Sequence, residues 1–427
     1  MSLDHVDRFI PPMKKYPIPR DQIVSILQII TACLQRIAAT TELAEVDALY
    51  TECETQVLEV LEKAHGTAGD LRKLAAAILQ MTRDPSRFSI AARLYAMAFR
   101  RGDDDAGYSW ATMVMEGMVP AANKELEVAQ AEKATQTYSQ LARKGHAQAQ
   151  FGMGRLVLAK ILSQKEPSSE PQHKQVQMAV DLWQRAGRNG YADAWFELGQ
   201  LFHQGQLVPR DKSRALTYFE HGARGGSAMA CHALGTLYLA RAKKFVEQSA
   251  QAEASKNSAL AARYFLQAAQ KGHAASAYNV GLLYLLPPGA DNNKETKEQH
   301  KIRHGVQPDD QNAREWFSAA ASKNFLPAMM NYGAMLMEGR GMSESDTRVG
   351  DLEEARRVYQ RAVQLCRQTQ ARASSPTAAL QATQRDTSVA QNMRAKAEEA
   401  LTLIDHQLQD SASLSAAAST SRSCTIM

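Results

Sequence analysis

Apolar residues recur along this chain in short stripes that repeat with the same internal spacing. Counting from a first alanine, the copies begin at Ala91, Ala134, Ala179, Ala215, Ala261 and Ala313. Four residues on stands an aromatic each time: Tyr95, Tyr138, Trp183, Phe219, Phe265 and Phe317. In the third copy Ala179, Trp183, Ala186 and Gly187 fall at i, i+4, i+7 and i+8, the inward face of one amphipathic helix. Eleven residues after each origin come Gly102, Gly145, Gly190, Gly226, Gly272 and Asn324. Glycine and asparagine are the residues that most readily end a helix in the left-handed conformation. A second stripe follows at once (Ala194, Leu198, Leu201 and Phe202 in the third copy), which predicts a second helix. Each copy is therefore an αα-hairpin. It cannot bury its apolar faces alone, so the copies must stack.

A tiny residue sits twenty positions after each origin: Ala111, Gly154, Gly199, Gly235, Gly281 and Gly333. Glycine inside a helix costs about 1 kcal/mol against alanine. The spacing predicts close backbone approach between helices at these points.

Outside the copies the pattern changes. Residues 1–20 hold Pro11, Pro12, Pro17 and Pro19 around Lys14, Lys15 and Tyr16, which reads as an extended arm, either a docking peptide or a plain terminus. From Asp21, read as an N-cap, a strongly apolar helix begins, and two more helical patterns follow at Leu43–Lys63 and Leu71–Met81. Residues 21–86 lack the repeat spacing and are expected to cap the stack, residues 87–368 to form it as about six copies and a half. The half copy is a single helix over Asp351–Arg367, with Ala355, Tyr359, Ala362 and Val363 in phase. Residues 369–408 read as a linker and a final polar helix near Ala390–Leu408, and 409–427 as a disordered tail. Copies three and four are spaced by the bare 36 residues, whereas Ser163–Gln175, Lys243–Ser258 and Pro287–Asn312 are insertions after second helices, with partner-contact loops or plain solvated loops as the readings.

Composition adds mainly exclusions. The net charge of +5 is mild, and the aromatics are taken by the repeat, so nucleic acid is not expected as a partner. Cys33, Cys53, Cys231, Cys366 and Cys424 form no CxxC and are odd in number, which argues for a reducing compartment and for Cys231 as core packing. No secretory signal, acid-free transit peptide, myristoylation glycine or long apolar span is read.

The search for chemistry returns little. HExxH, GxSxG, a P-loop and GxGxxG are absent, and Gly152-Met153-Gly154 is repeat spacing. His146 and His273 follow the helix-ending glycine and are expected to be structural, not catalytic. His300 and His304 stand four apart without a supporting cysteine or carboxylate cluster, so no metal or other cofactor is expected. Glu353-Glu354 and Glu398-Glu399 fall on solvated helix surfaces. The chain printed here closes on Cys424-Thr425-Ile426-Met427, which resembles a farnesyl-type prenylation box and makes Cys424 the expected lipidation site.

The runs "AVDLWQRAGRNGYADAWFELGQLF" and "ALTYFEHGARGGSAMACHALGTLY" resemble Sel1-like repeats, cousins of tetratricopeptide repeats, over roughly Arg87 to Glu338. That resemblance implies an all-α, right-handed α-solenoid of stacked helix-turn-helix repeats with helical caps. The family pattern itself carries histidine after the turn glycine. Sel1-like repeats joined to a prenylation box resemble, in architecture, the fungal activators of chitin synthase. They imply a non-enzymatic adaptor on the cytoplasmic face of a membrane, with a protein partner such as that synthase. That family has long Ser/Pro-rich regions before its repeats, where this chain has a helical cap. The alternatives are a soluble Sel1-repeat adaptor, cytosolic or mitochondrial, and a repeat-fold hydrolase of the kind proposed for bacterial Sel1 proteins with paired cysteines, which this chain lacks.

Overall fold

The structure is a computed structural model, and it describes residues 18–39, 43–81, 85–121, 123–163, 170–285, 306–343, 346–373 and 384–423. Seventeen helices and no strand are found among them. The fold is all-α, built of stacked helical hairpins. The chain divides into two compact units between Arg210 and Asp211, that is, between the third and fourth copies.

In the first unit, α1 (Arg20–Ala38), α2 (Leu43–Lys63) and α3 (Ala68–Met81) form the expected cap. Asp21 does not cap α1. Pro19 occupies the N-cap position without a side-chain hydrogen bond, and Asp21 lies in the first turn. A proline there loses only an amide that the helix could not pair anyway. Three copies follow: α4 (Arg87–Arg100) with α5 (Asp104–Met115), α6 (Lys124–Arg143) with α7 (Ala147–Ser163), and α8 (Glu170–Arg188) with α9 (Asp193–Gln204). The cap and the first copy share one apolar core that includes Ile26, Ile30, Leu61, Leu74, Ala91 and Tyr95.

The second unit holds α10 (Lys212–Arg224) with α11 (Ala228–Glu247), α12 (Gln251–Gln270) with α13 (Ala274–Tyr284), and α14 (Asp310–Ser322) with α15 (Leu326–Glu338). The half copy is α16 (Arg348–Ala373), and α17 (Gln384–Ser423) follows it. Most of the Lys243–Ser258 insertion is not loop: it lengthens α11 and α12, leaving only Gln248–Ala250 between them. The helix expected near 390–408 is longer at both ends. Its Ala390, Ala397 and Ile404 are buried, so α17 closes the apolar side of α16. Most of the Pro287–Asn312 insertion, and most of the proline-rich arm, lie outside the described residues.

Every turn between the two helices of a copy is built the same way. Gly102, Gly145, Gly190, Gly226 and Gly272 have φ between 81° and 97°, and Asn324 has φ 62°. The amide of the next residue reaches back five positions: Asp103 to Ala98 O, His146 to Leu141 O, Tyr191 to Ala186 O, Ser227 to Gly222 O, His273 to Ala268 O and Phe325 to Ala320 O, at 2.8–3.3 Å. This is the Schellman closure of a helix C-terminus. In four copies the same residue then caps the second helix. Asp103, His146, Ser227 and His273 accept through their side chains from the amides of Ala106, Ala149, Ala230 and Ser276.

The small residue twenty positions into each copy has a different cause from the one expected. At Gly154, Gly235, Gly281 and Gly333 it faces the aromatic ring of the next copy, not another backbone. A Cβ on Gly154 would lie 2.5 Å from Trp183, on Gly235 or Gly281 2.7 Å from Phe265 or Phe317, and on Gly333 2.5 Å from Tyr359. Trp183 also donates from Nε1 to Phe151 O at 3.0 Å. In the first copy Ala111 takes the place of glycine, and Tyr138 instead meets the neighbouring Thr112, hydroxyl to hydroxyl, at 2.8 Å.

These contacts fix the sign of a substitution. In an unconstrained helix interior Gly→Ala gains up to about 1 kcal/mol. At Gly235 the added methyl must displace the Phe265 ring, so Gly235→Ala is expected to lose about 1–3 kcal/mol in a denaturant titration. A gain in stability would remove the assignment. Leu234, fully buried beside it, is expected to cost about 2–5 kcal/mol as Leu234→Ala.

Candidate functional site

Arg93 is the polar side chain that departs most from the repeat. It stands two residues after the origin of the first copy, on the outward side of the first helix. The equivalent residues Gln136, Asp181, Thr217, Arg263 and Glu315 are all exposed. Arg93 is only 7% exposed. The difference comes from the cap, which packs on the outer side of α4. The Arg93 guanidinium lies 4.0 Å over the Tyr50 ring and donates from Nη2 to Tyr50 O. Glu54, itself buried, lies 3.8 Å from Arg93 and pairs more tightly with Arg100. Burial pulls the Arg93 guanidinium below its usual value, but an arginine is not deprotonated in a protein. Its Nε is buried without a hydrogen-bond partner among the described residues.

Beside Arg93 opens a groove of about 640 Å³ in the first unit. One wall is α1, through Leu34, Gln35 and Ala38, and the floor is α4, through Ala92, Arg93, Ala96 and Arg100. The far wall is Trp110, the segment Val119–Ala121, and Leu126, Ala129, Gln130 and Lys133 of α6. Among the described residues, three cations and no carboxylate line the groove. The volume is that of a ligand site, about 300–1,000 Å³. Neither the groove nor the buried Arg93 was legible in the sequence, because both arise where the cap meets the first copy. An arginine inside the apolar run "SIAARLYAMAF" is the one signal that marks the place.

The residues that looked chemically suggestive are placed as parts of the stack. His146 caps α7, and its Nε2 lies 3.2 Å from Asp105 Oδ1. His273 caps α13 and shares the Ser276 hydroxyl with His232, at 2.9 and 2.8 Å. The two rings lie 4.6 Å apart, and Ser276 is fully buried. Burial lowers both imidazoles, His232 to about 4 with His273 as a second cause. A protonated His273 could not accept from the Ser276 amide, so this cluster is built for neutral rings. Sequence reasoning missed His232, which stands where the other copies carry Tyr108, Phe151, Phe196, Tyr278 and Met330.

Cys33, Cys53, Cys231 and Cys366 are buried free thiols, Cys231 beside Gln267 Oε1 at 3.8 Å. No group of three His, Cys, Asp or Glu is placed to hold a metal among the described residues, and none of their helices is long and apolar enough to cross a membrane. Gly152 and Gly154 lie within α7 against the Tyr138 and Trp183 rings. His300, His304 and the expected lipidation site Cys424 lie outside the described residues.

The Sel1 repeat model matches residues 192–227, 228–273, 302–325 and 326–365, so this part of the chain is similar to Sel1 repeats. Three of the four matches begin at a second helix and the third, 302–325, covers the first helix α14, whereas the cap and the first two copies lie outside the matches. Among solved structures the chain is similar to a Sel1 repeat protein from Oxalobacter formigenes, with 18% identity, 68% of this chain and 99% of that one covered, and TM-score 0.45. It is also similar to c5321, a protective antigen of uropathogenic Escherichia coli strains displaying an SLR fold, with 18% identity, 90% and 71% covered, and TM-score 0.44. A third is the immunity protein Pa5087 from Pseudomonas aeruginosa, with 20% identity, 60% and 81% covered, and TM-score 0.38. No curated protein matches the chain.

The histidine pair generates a pH dependence. The depressed native value means that the unfolded chain binds more protons between about pH 4 and 6.5, so stability rises with pH across that window. The contribution is complete above about pH 6.5 and is lost as pH falls toward 4, on the order of 1–2 kcal/mol once solvent screening of the half-buried ring is allowed for. Urea midpoints measured from pH 4 to 7 should therefore show a steeper slope for the native chain than for His232→Asn. Parallel slopes would contradict the burial argument.

Proposed function

We propose that the chain is a non-catalytic adaptor that recruits a protein partner to its helical repeats. What carries this reading is the groove beside Arg93, an open, preformed, largely apolar surface at the end of a stack whose suggestive side chains are consumed in caps and core. Sel1 repeats in residues 192–365 support the same class of role. A repeat stack suits it physically, since each hairpin touches only its neighbours and the surface stays available.

The finer reading adds a membrane tether. Prenylation of Cys424 would place the adaptor at the cytoplasmic face of a membrane, where a membrane enzyme such as a chitin synthase is the proposed partner. That modification requires Met427 to end the chain in the cell. A single lipid chain gives only reversible binding, at about 0.8 kcal/mol per buried CH₂. The net charge of +5 is spread over the sequence and offers no basic cluster beside Cys424. Stable placement therefore needs the partner itself.

Proximity labelling in a eukaryotic host tests both levels. The native chain is expected to return a defined partner set and to sediment with membranes. Cys424→Ser is expected to lose the membrane fraction, with an intact mass lacking the prenyl adduct. If native and Cys424→Ser chains fractionate alike and both carry an unmodified terminus, the soluble adaptor replaces the tethered one. A reproducible failure to capture any partner with either chain would sink the adaptor reading.

A further inference from the structure

Resting on the adaptor reading, we infer that the groove between α1, α4 and α6 is the docking site for an extended partner segment with aliphatic side chains around one carboxylate. The first argument is charge. Arg93, Arg100 and Lys133 line the groove, and no Asp or Glu does among the described residues. Behind them Glu54 is shared between the Arg93 and Arg100 guanidiniums, so the pair of arginines keeps a net positive charge. A buried cation so placed favours an arriving anion, most strongly one that desolvates with it.

The second argument is the unmet donor. Arg93 Nε is buried and unpartnered among the described residues, in a side chain that forms part of the groove floor. Buried donors are nearly always paired, and a carboxylate is the acceptor whose geometry matches a guanidinium edge. The position is specific to this copy, since the five equivalent residues are exposed.

The third argument separates a peptide from a lipid carboxylate. Apolar Leu34, Trp110 and Leu126 line the groove together with polar Ser89 and Gln130. A hydrocarbon tail would leave those polar groups facing apolar surface, at a desolvation cost. A peptide backbone presents a donor and an acceptor at every residue and can answer them. Peptide recognition through main-chain hydrogen bonds plus side-chain pockets is the mode that fits.

The test uses the full chain immobilised against a phage-displayed library of random dodecapeptides. Native chain, Lys133→Glu and Ala129→Trp are selected in parallel. Lys133 is exposed and Ala129 half-buried on the groove wall, so neither substitution cuts into the core, and circular dichroism melts confirm that both fold. The native chain is expected to enrich sequences with one Asp or Glu among aliphatic residues, and both variants to lose that pool. A synthetic peptide from the pool should bind about tenfold more weakly when its acid is replaced by the amide. Enrichment without an acidic preference overturns the proposal. So does enrichment that Ala129→Trp retains, which moves docking elsewhere and leaves the adaptor reading standing. Binding of cis-parinaric acid with no peptide selected would reassign the groove to a lipid carboxylate. Failure of the adaptor reading shows separately, as an empty proximity-labelling result.

Discussion

The stack depends on a missing Cβ. In four places the aromatic ring of one copy lies where a side chain of the preceding copy would have been: Trp183 on Gly154, Phe265 on Gly235, Phe317 on Gly281 and Tyr359 on Gly333. A glycine in mid-helix is unfavourable by about 1 kcal/mol. The ring it admits is among the most deeply buried in the protein; Phe265 and Phe317 are wholly inaccessible. Large aromatic burial outweighs a single helix-propensity loss, which is why the pairing recurs. The last such pair extends the rule into the half copy, whose Tyr359 still lies on Gly333 although α17 is no repeat helix.

A second economy governs the turns. Only three or four residues separate the helices of a copy at the Schellman closure, so the residue after the glycine works in both directions. Its amide terminates the first helix and its side chain begins the second. Aspartate, serine and histidine all satisfy the second role, through Asp103, Ser227, His146 and His273. Histidine there is a capping acceptor, which accounts for a residue type that otherwise invites a catalytic reading. At Tyr191 and Phe325 the amide closure remains, and no side-chain cap is made.

Much of this was legible beforehand, because a repeat states its own geometry. Alanine, aromatic, glycine and leucine positions give helix, wedge, turn and core without any structure. The spacing could not say which surface the glycine at twenty positions faces, since periodicity within one copy is silent about its neighbour. The extent of α12 was hidden as well: polar residues of the Lys243–Ser258 insertion have adequate helix propensity and simply prolong two helices. The burial of Arg93 was beyond reach for another reason. Its environment is set by Tyr50 and Glu54 of the cap, about forty residues away and outside the repeat.

The cap thus does two things in the first unit. It covers the apolar end that a stack of hairpins exposes, and it turns one outward position into a buried cation beside a groove. The proposed docking site accordingly lies where the repeat is broken, while the regular copies repeat the ring-on-glycine contact. The coupling between copies is the claim on which that division rests, and a double-mutant cycle on Gly281 and Phe317 measures it directly. Gly281→Ala, Phe317→Leu and the pair are compared in denaturant unfolding. The smaller leucine should relieve the clash, so the double variant is expected to be at least about 1 kcal/mol more stable than the sum of the single losses predicts. Strict additivity would mean that ring and glycine do not constrain each other, and would contradict the account.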